Sequence, residues 1–131
     1  MRPGRFLAPL LREPGAPWQL RNARNNSVVA HHILQAFDSQ RRRKGLLARD
    51  QLEDGYAMII APSSAVHTCF MRFPIDLAFV TREGTLLKTR ASVGPWRVSV
   101  CLRAFAVVEW PAGTLARHGV VPGDRLFVSQ A

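Results

Sequence analysis

Four charged side chains and one tryptophan lie in or beside apolar segments of this sequence, where an unpaired charge is costly to bury. They are Arg72, Asp76, Trp96, Arg97 and Glu109. Arginine side chains donate hydrogen bonds to anions, so Arg72 and Arg97 could bind an anionic or polyhydroxy ligand. Asp76 would then orient Arg72, and Trp96 would supply a flat apolar wall. The alternative is that these charges satisfy one another in a structural network.

The two carboxylates among these residues could also do acid–base chemistry. Asp76 or Glu109 could act as a general acid or base if desolvated, because burial raises the pKa of a carboxyl group. The recognised templates for hydrolases, phosphate-binding loops, metalloproteases and dinucleotide sites do not occur in the sequence. A non-catalytic binding module is therefore the first function hypothesis, and an enzyme is the second.

Possible metal ligands are few and far apart in the sequence. A structural zinc site needs four nitrogen or sulfur ligands in paired spacing. The sequence offers one His-x-Cys pair, His67 and Cys69, with Cys101 and His118 as distant candidates. We therefore expect no metal and no cofactor. Two cysteines are also too few for a disulfide framework, so both are expected to be buried, reduced thiols.

The element that must position the site is the stretch HTCFMRFPIDLAFV at residues 67–80. Its aromatic residues and its lack of helical periodicity predict one central strand. In a straight strand the odd-numbered side chains would form the core face, while Arg72 and Asp76 would share the other face about 13 Å apart. Pro74 between them donates no hydrogen bond and indicates a bend, which could bring the two charges together.

Several motifs in a fixed order give the sequence a family resemblance. The run MRFPIDLAFV is followed by the turn REG, and then by GPWRVS, AVVEWPAG and HGVVPGDRL. Together these motifs, within residues 27–128, closely resemble domain-of-unknown-function family 192, a widespread prokaryotic group. The resemblance implies a compact, β-rich single domain with short helices. It supplies no catalytic residue, because the family has no established activity.

Turn residues divide the rest of the chain into short apolar segments. We predict a hairpin turn at Glu83 and Gly84, a helix that begins at Asp38 or Ser39, and one helical turn at residues 114–118. Counting the segments between turns gives seven or eight short strands with hairpin-like spacing. The predicted fold is thus mostly β, a compact antiparallel, barrel-like domain with two short helices. The remaining predicted strands are residues 18–24, 28–37, 56–61, 85–89, 101–110 and 126–128.

The length of 131 residues suits one domain. Residues 1–17 contain four prolines and two glycines, which predicts a flexible, poorly packed N-terminal arm, and residues 18–131 are predicted to form a single β-rich domain. No apolar run approaches the ~20 residues that would span a bilayer. Many members of the resembled family carry an export signal, but charged and proline residues interrupt the N-terminal apolar segment here, so we expect a cytoplasmic protein.

Positive charge is concentrated in the first part of the sequence. Residues 1–50 hold ten Arg or Lys and three acidic residues, whereas residues 51–131 hold eight and six. The net charge of +9 could attract nucleic acid, an anionic membrane or an acidic protein. The run RRRK at residues 41–44 is either an anion or nucleic-acid contact or a solvated helix face. Nucleic-acid binding is the third function hypothesis; the partner expected first is an unknown small polar ligand or a protein.

Overall fold

A computed structural model of the chain describes residues 4–47 and 49–131. Within these ranges the protein contains ten strands and three short helices, which confirms a mostly β fold. No helix in the described part is long and apolar enough to cross a lipid bilayer. In chain order the elements are α1 (Gly4–Arg12), β1 (Trp18–Asn22), β2 (Val28–Ala30), β3 (His32–Ala36), α2 (Ser39–Lys44), β4 (Tyr56–Ile60), β5 (Ala65–His67), β6 (Ile75–Val80), β7 (Leu86–Val93), β8 (Val98–Val100), β9 (Ala106–Pro111), α3 (Thr114–His118) and β10 (Leu126–Gln130).

A five-stranded sheet with the order β3-β4-β9-β6-β7 forms the centre of the fold. β3 and β4 pair in parallel because the segment between them, which contains α2, returns the chain to the same end of the sheet. The other pairs in this sheet are antiparallel. The remaining strands form a three-stranded sheet, β10-β1-β2, and a two-stranded sheet, β5-β8. The strands therefore form three sheets, and not the predicted closed or nearly closed antiparallel barrel.

Both faces of the central sheet are covered at its inner strands β6 and β9, so every residue of these two strands is buried. Successive side chains of a strand point to opposite faces. Accordingly Ala78 and Val80 pack into one core cluster with α1 and the three-stranded sheet. Leu77 and Phe79 pack into a second cluster, which the segments around residues 46–52 and 66–73 cover. Neither face of β6 is therefore left to solvent.

The predicted single strand over residues 67–80 is wrong. The structure divides this stretch into the end of β5, at His67, and the whole of β6, which begins at Ile75. Residues 68–74 between them are not strand, and Phe70 has a φ of 66°, which extended backbone does not allow. Pro74, which has no N–H to donate, lies directly before β6. The proline therefore marks a strand boundary, and His67 is exposed instead of facing the core.

Residues 4–12, within the predicted flexible arm, form α1. Phe6, Leu7 and Leu10 of this helix are buried in the first core cluster. Their spacing places them on one side of a helix, and the gain from burying three large apolar side chains outweighs the cost of Pro9 inside the helix. The helical spacing of these apolar residues thus decides the structure of the segment, and its prolines do not.

Two local predictions are confirmed. Asp38 caps α2, since its carboxylate accepts a hydrogen bond from the Arg41 amide at 2.7 Å. The helix ends at Lys44, before the predicted end at residues 48–49, of which Ala48 lies outside the described residues. The turn at Glu83 and Gly84 joins β6 to β7. Gly84 has a φ of 91°, and a Cβ there would lie 2.2 Å from the carbonyl oxygen of Leu126. Only glycine fits at that position.

Candidate functional site

The five predicted site residues do not meet in one place. Glu109 lines a cavity on one face of the central sheet. Asp76 is buried against the backbone of other elements, and Arg72, Trp96 and Arg97 are exposed. Instead of forming one site, the five residues occupy three places: Glu109 lines a cavity, Asp76 is buried, and Arg72, Trp96 and Arg97 lie at the surface.

Asp76 has a structural role. Its carboxylate accepts hydrogen bonds from the backbone amides of Ser92 at 2.8 Å, Gly113 at 3.1 Å and Leu115 at 2.9 Å. These three donors belong to β7 and to the start of α3, so the side chain ties two elements to β6. A buried carboxylate is tolerated when several N–H groups solvate it in this way.

The predicted pairing of Arg72 with Asp76 is wrong. Arg72 forms an ion pair with Asp50, and both side chains are exposed. The non-strand segment before β6 carries Arg72 to the surface, whereas Asp76 lies within β6 and points into the protein. An exposed pair of this kind contributes about 0–1 kcal/mol, so Arg72 neither stabilises Asp76 nor belongs to the cavity.

Trp96 and Arg97 belong to an exposed loop that Thr68 holds in place. The Thr68 hydroxyl donates to the Gly94 carbonyl at 2.6 Å and accepts from the Arg97 amide at 2.9 Å. The Trp96 ring packs edge-on against Phe70, with 4.6 Å between ring centroids. Trp96, predicted to lie beside a ligand, lies on the surface next to a second aromatic side chain.

A cavity of about 620 Å³ lies between α2 and β5, above the central sheet. Its volume is within the range of small-molecule sites. We call it the α2–β5 cavity. One wall comes from α2 and the residues after it, the other comes from β5 and the residues before it, and the buried side chains Ile60, Met71 and Glu109 form the floor. The wall residues are Ser39, Arg42, Arg43, Lys44, Gly45, Leu46, Leu47, Pro62, Ser63, Ala65, Val66 and His67.

Glu109 is the polar group of the cavity floor. It lies in β9 opposite Met58 of β4 and Leu77 of β6, so apolar side chains flank it on both sides. Burial among these neighbours raises the pKa of the Glu109 carboxyl from 4.5 to about 7. The carboxyl makes no hydrogen bond or ion pair with any residue in the ranges 4–47 and 49–131. It is a buried acid whose hydrogen-bonding capacity is directed into a cavity.

Three cationic side chains of α2 give the cavity a positive wall. Arg42 is half-buried and its guanidinium donates to the Phe37 carbonyl at 3.3 Å. Arg43 and Lys44 are exposed, and their side chains form no hydrogen bond or ion pair within the described part of the chain. Two cations are therefore available to a ligand at the wall, while the third is partly held by the protein.

Glu109 and the basic run at residues 41–44 are separate predictions from the sequence, and no sequence signal connects them. His67, predicted to face the core, instead lies in the cavity wall. The one available signal was chemical: a carboxylate inside an apolar strand needs a partner. Which segments surround that carboxylate depends on the parallel β3–β4 crossover, which sequence spacing does not reveal.

In the described part of the chain, neither the cysteines nor the other metal-binding residue types form a metal site. Cys69 and Cys101 are free and half-buried, where fully buried thiols were expected. Residues 4–47 and 49–131 contain no group of three or more His, Cys, Asp or Glu side chains placed to hold a metal ion. The side chains that line the α2–β5 cavity supply a carboxyl group, cations, an imidazole, hydroxyl groups and apolar surface.

Comparison with known proteins gives a family and two related structures. Residues 20–128 match domain-of-unknown-function family 192, described as Uncharacterized ACR. The structure is similar to that of a protein of unknown function from Novosphingobium aromaticivorans, with 25% identity, a TM-score of 0.72, and coverage of 84% of this chain and 82% of that one. It is also similar to a putative transcription regulator from Sinorhizobium meliloti, with 25% identity, a TM-score of 0.71, and coverage of 83% and 89%. No curated protein matches the chain.

Proposed function

The chain belongs to domain-of-unknown-function family 192, and we propose that it is a binding module for a small amphipathic anion held in the α2–β5 cavity. The observation that carries this proposal is Glu109, a buried carboxyl that faces the cavity and has no hydrogen-bond partner in the described part of the chain. Buried polar groups in folded proteins are nearly always hydrogen-bonded. A ligand that offers a hydroxyl or carbonyl group to Glu109 would supply the missing bond.

The other two parts of the cavity specify the rest of the ligand. Leu47, Val66 and Met71 provide apolar contact area, which suits a hydrocarbon or ring body. Arg43 and Lys44 provide unpaired positive charge, which suits a carboxylate, sulfonate or phosphate group. The ligand class is therefore an anion with an apolar body and a neutral polar group away from its charge.

The charge requirement is tested with two probes that share an alkyl chain, octanoate and octyltrimethylammonium, by isothermal titration calorimetry. We expect octanoate to bind at one site and octyltrimethylammonium not to bind. The double variant R43E/K44E should weaken octanoate binding by about tenfold or more, because a charge-assisted contact contributes about 1.5–3 kcal/mol. R5E/R12E is the matched control, since it makes the same change of charge on the exposed side of α1.

The role of Glu109 is tested with omega-hydroxyoctanoate, whose terminal hydroxyl can reach a polar group that octanoate cannot contact. The unmodified protein should prefer the hydroxylated probe, whereas Glu109→Leu should prefer octanoate. The proposal is wrong if neither anion binds, if the cationic probe binds as well as octanoate, or if the R5E/R12E control weakens binding as much as R43E/K44E does.

A carboxyl group with a pKa near 7 is also suited to proton transfer, so general acid–base catalysis is the second candidate function. Glu109 is the residue that would carry it. Asp76, the other predicted acid or base, has its carboxylate occupied by three backbone donors. A titration in which Glu109 ionises at its ordinary pKa would remove this alternative.

Nucleic-acid binding has weaker support. One structural relative is named a putative transcription regulator, and the basic run of α2 could contact phosphates. However, three of its four cations line a cavity too small for a duplex, and Arg41 pairs with Asp38.

A cytoplasmic location also remains a prediction from the sequence.

A further inference from the structure

We propose that the exposed face of the two-stranded sheet β5-β8 docks the protein on an anionic lipid bilayer. The docking face consists of the even-numbered side chains of the segment around β8, namely Trp96, Val98, Val100 and Leu102, together with Phe70. This inference does not depend on the ligand proposed for the α2–β5 cavity.

The alternation of the segment is the reverse of what an isolated surface strand should show, with apolar side chains outward and a polar one inward. Trp96 is 59% exposed, Val98 63%, Val100 42% and Leu102 84%, whereas Ser99 is 3% exposed. Val98 and Val100 lie on one face of β8. Trp96 and Leu102 are exposed directly before and after this strand, so the four side chains form an apolar stripe that follows the segment. Scattered exposed apolar residues are ordinary, but a continuous stripe of them marks an interaction surface.

Phe70 widens the stripe beside Trp96. Phe70 is 70% exposed, and its ring packs edge-on against Trp96 with 4.6 Å between centroids. Both residues have positive φ, 66° and 63°, a conformation that costs a bulky side chain backbone energy. Thr68 holds the loop of Trp96 in place: its hydroxyl donates to the Gly94 carbonyl and accepts from the Arg97 amide, and its carbonyl accepts from the Trp96 amide. Two aromatic rings are therefore exposed to solvent on residues whose backbone conformation is strained.

Positive charge surrounds the stripe without any acidic residue in the same segments. Residues 55–75 and 84–108 contain no Asp or Glu. Lys88 and Arg90 of β7 lie along one side of β8, where they donate to the carbonyls of Val100 at 3.0 Å and Val98 at 3.1 Å. Arg97 and Arg103 are exposed near its two ends. An apolar stripe bordered by cations is complementary to anionic headgroups above hydrocarbon.

The same contacts argue against other occupants. A protein partner that added a strand to β8 would need the carbonyls of Val98 and Val100, which Arg90 and Lys88 already occupy. Single-stranded nucleic acid needs flat rings to stack on, whereas three of the five side chains are aliphatic. Leu102 and Phe70 are so exposed that they protrude from the surface, and protruding side chains suit insertion into a fluid medium more than docking into a rigid groove.

The test is co-sedimentation of the full chain with vesicles of phosphatidylcholine alone and of equal parts phosphatidylcholine and phosphatidylglycerol. We expect binding to the mixed vesicles that is at least about tenfold stronger than to phosphatidylcholine and that falls at high ionic strength. V98S/L102S should abolish this binding. L11S/V121S is the matched control, because it removes two exposed apolar side chains elsewhere on the surface.

The substituted side chains are exposed, so the thermal unfolding temperature should be unchanged, and measuring it excludes misfolding as the cause of lost binding. The proposal is overturned if the unmodified protein does not bind the mixed vesicles at low ionic strength, or if V98S/L102S binds them as tightly as the control L11S/V121S. It is also overturned if the stripe instead mediates oligonucleotide binding or self-association that V98S/L102S removes.

Discussion

At the scale of single residues, burial changes the acidity of the Glu109 carboxyl. Desolvation alone raises the pKa of its carboxyl to about 7, which means that ionisation works against the packing around it. Asp124 shows the opposite effect: a hydrogen bond from Arg24 lowers the pKa of the Asp124 carboxyl to about 2. Asn22 and the Val121 amide donate to the same carboxylate. One buried acid is hydrogen-bonded on all sides by the protein, whereas the other has no hydrogen-bond partner among the described residues.

The raised pKa of Glu109 predicts a pH-dependent stability. The folded protein holds this proton up to about pH 7, whereas the unfolded chain releases it near 4.5. Glu109 therefore contributes most to stability below pH 4.5, and this contribution falls as pH rises to about 7, by about 3 kcal/mol at most. We expect the free energy of unfolding of the unmodified protein to decrease over this range more than that of Glu109→Gln, as measured by urea denaturation.

The difference in pH dependence between the unmodified protein and Glu109→Gln isolates the effect of Glu109, because all other titratable groups are common to both proteins. Equal slopes from pH 4.5 to 7 would mean that Glu109 ionises normally, and would contradict both its burial without a partner and its use as an acid or base.

At the scale of secondary-structure elements, Asp76 organises the end of the central sheet. Its carboxylate connects β6 to the bulged end of β7 through Ser92 and to the first turn of α3 through Gly113 and Leu115. The helix α3 has only five residues and no side-chain cap of its own at Gly113. A short helix is not stable by itself in water, so it depends on such a contact.

Asp76→Asn should therefore destabilise the protein strongly. The amide retains one oxygen acceptor but turns an NH₂ group towards backbone N–H donors, so we expect a loss of about 3–5 kcal/mol in the free energy of unfolding. Asp50→Asn is the control, since it makes the same chemical change in the exposed pair with Arg72 and should cost about 1 kcal/mol or less. Equal effects of the two substitutions in chemical denaturation would contradict the structural role of Asp76.

At the scale of the whole molecule, α1 joins the N-terminal segment to the core that the sheets share. Leu7 and Leu10 pack in the same cluster as Leu20 of β1, Val80 of β6 and Leu126 of β10. A helix with this packing belongs to the cooperative unit of the domain. The division of the chain into an arm and a domain at residue 17, which stays a prediction of the sequence analysis, therefore has little support in the packing.

Leu7→Ala should cost about 2–5 kcal/mol of stability, because it leaves a cavity in the core. Leu11→Ala, on the exposed side of the same helix, is the matched control and should cost less than about 1 kcal/mol. Scanning calorimetry should show one transition for each protein, with equal calorimetric and van't Hoff enthalpies. A separate low-temperature transition for α1, or equal costs for the two substitutions, would show that the helix is not part of the cooperative core.

The sequence by itself determined the class of the fold, the family motifs, the Asp38 cap, the β6–β7 hairpin and the charge imbalance. The strand content, the cap and the hairpin depend on residues close together in the chain, whose preferences for turns, caps and strands act locally. The family motifs and the charge imbalance are properties of the sequence itself. The sequence also showed that Glu109 needs a partner, because a charge inside an apolar strand is costly wherever that strand lies.

Only the tertiary structure decided which residues meet. The parallel return from β3 to β4 brings the basic helix α2 over Glu109, and the break before β6 sends Arg72 to the surface while Asp76 stays inside. Alternation in a strand says that neighbouring side chains face opposite ways, but not which way is solvent. For that reason the outward stripe on β8 and the inward carboxyl on β9 could be assigned only after both faces of every sheet were known.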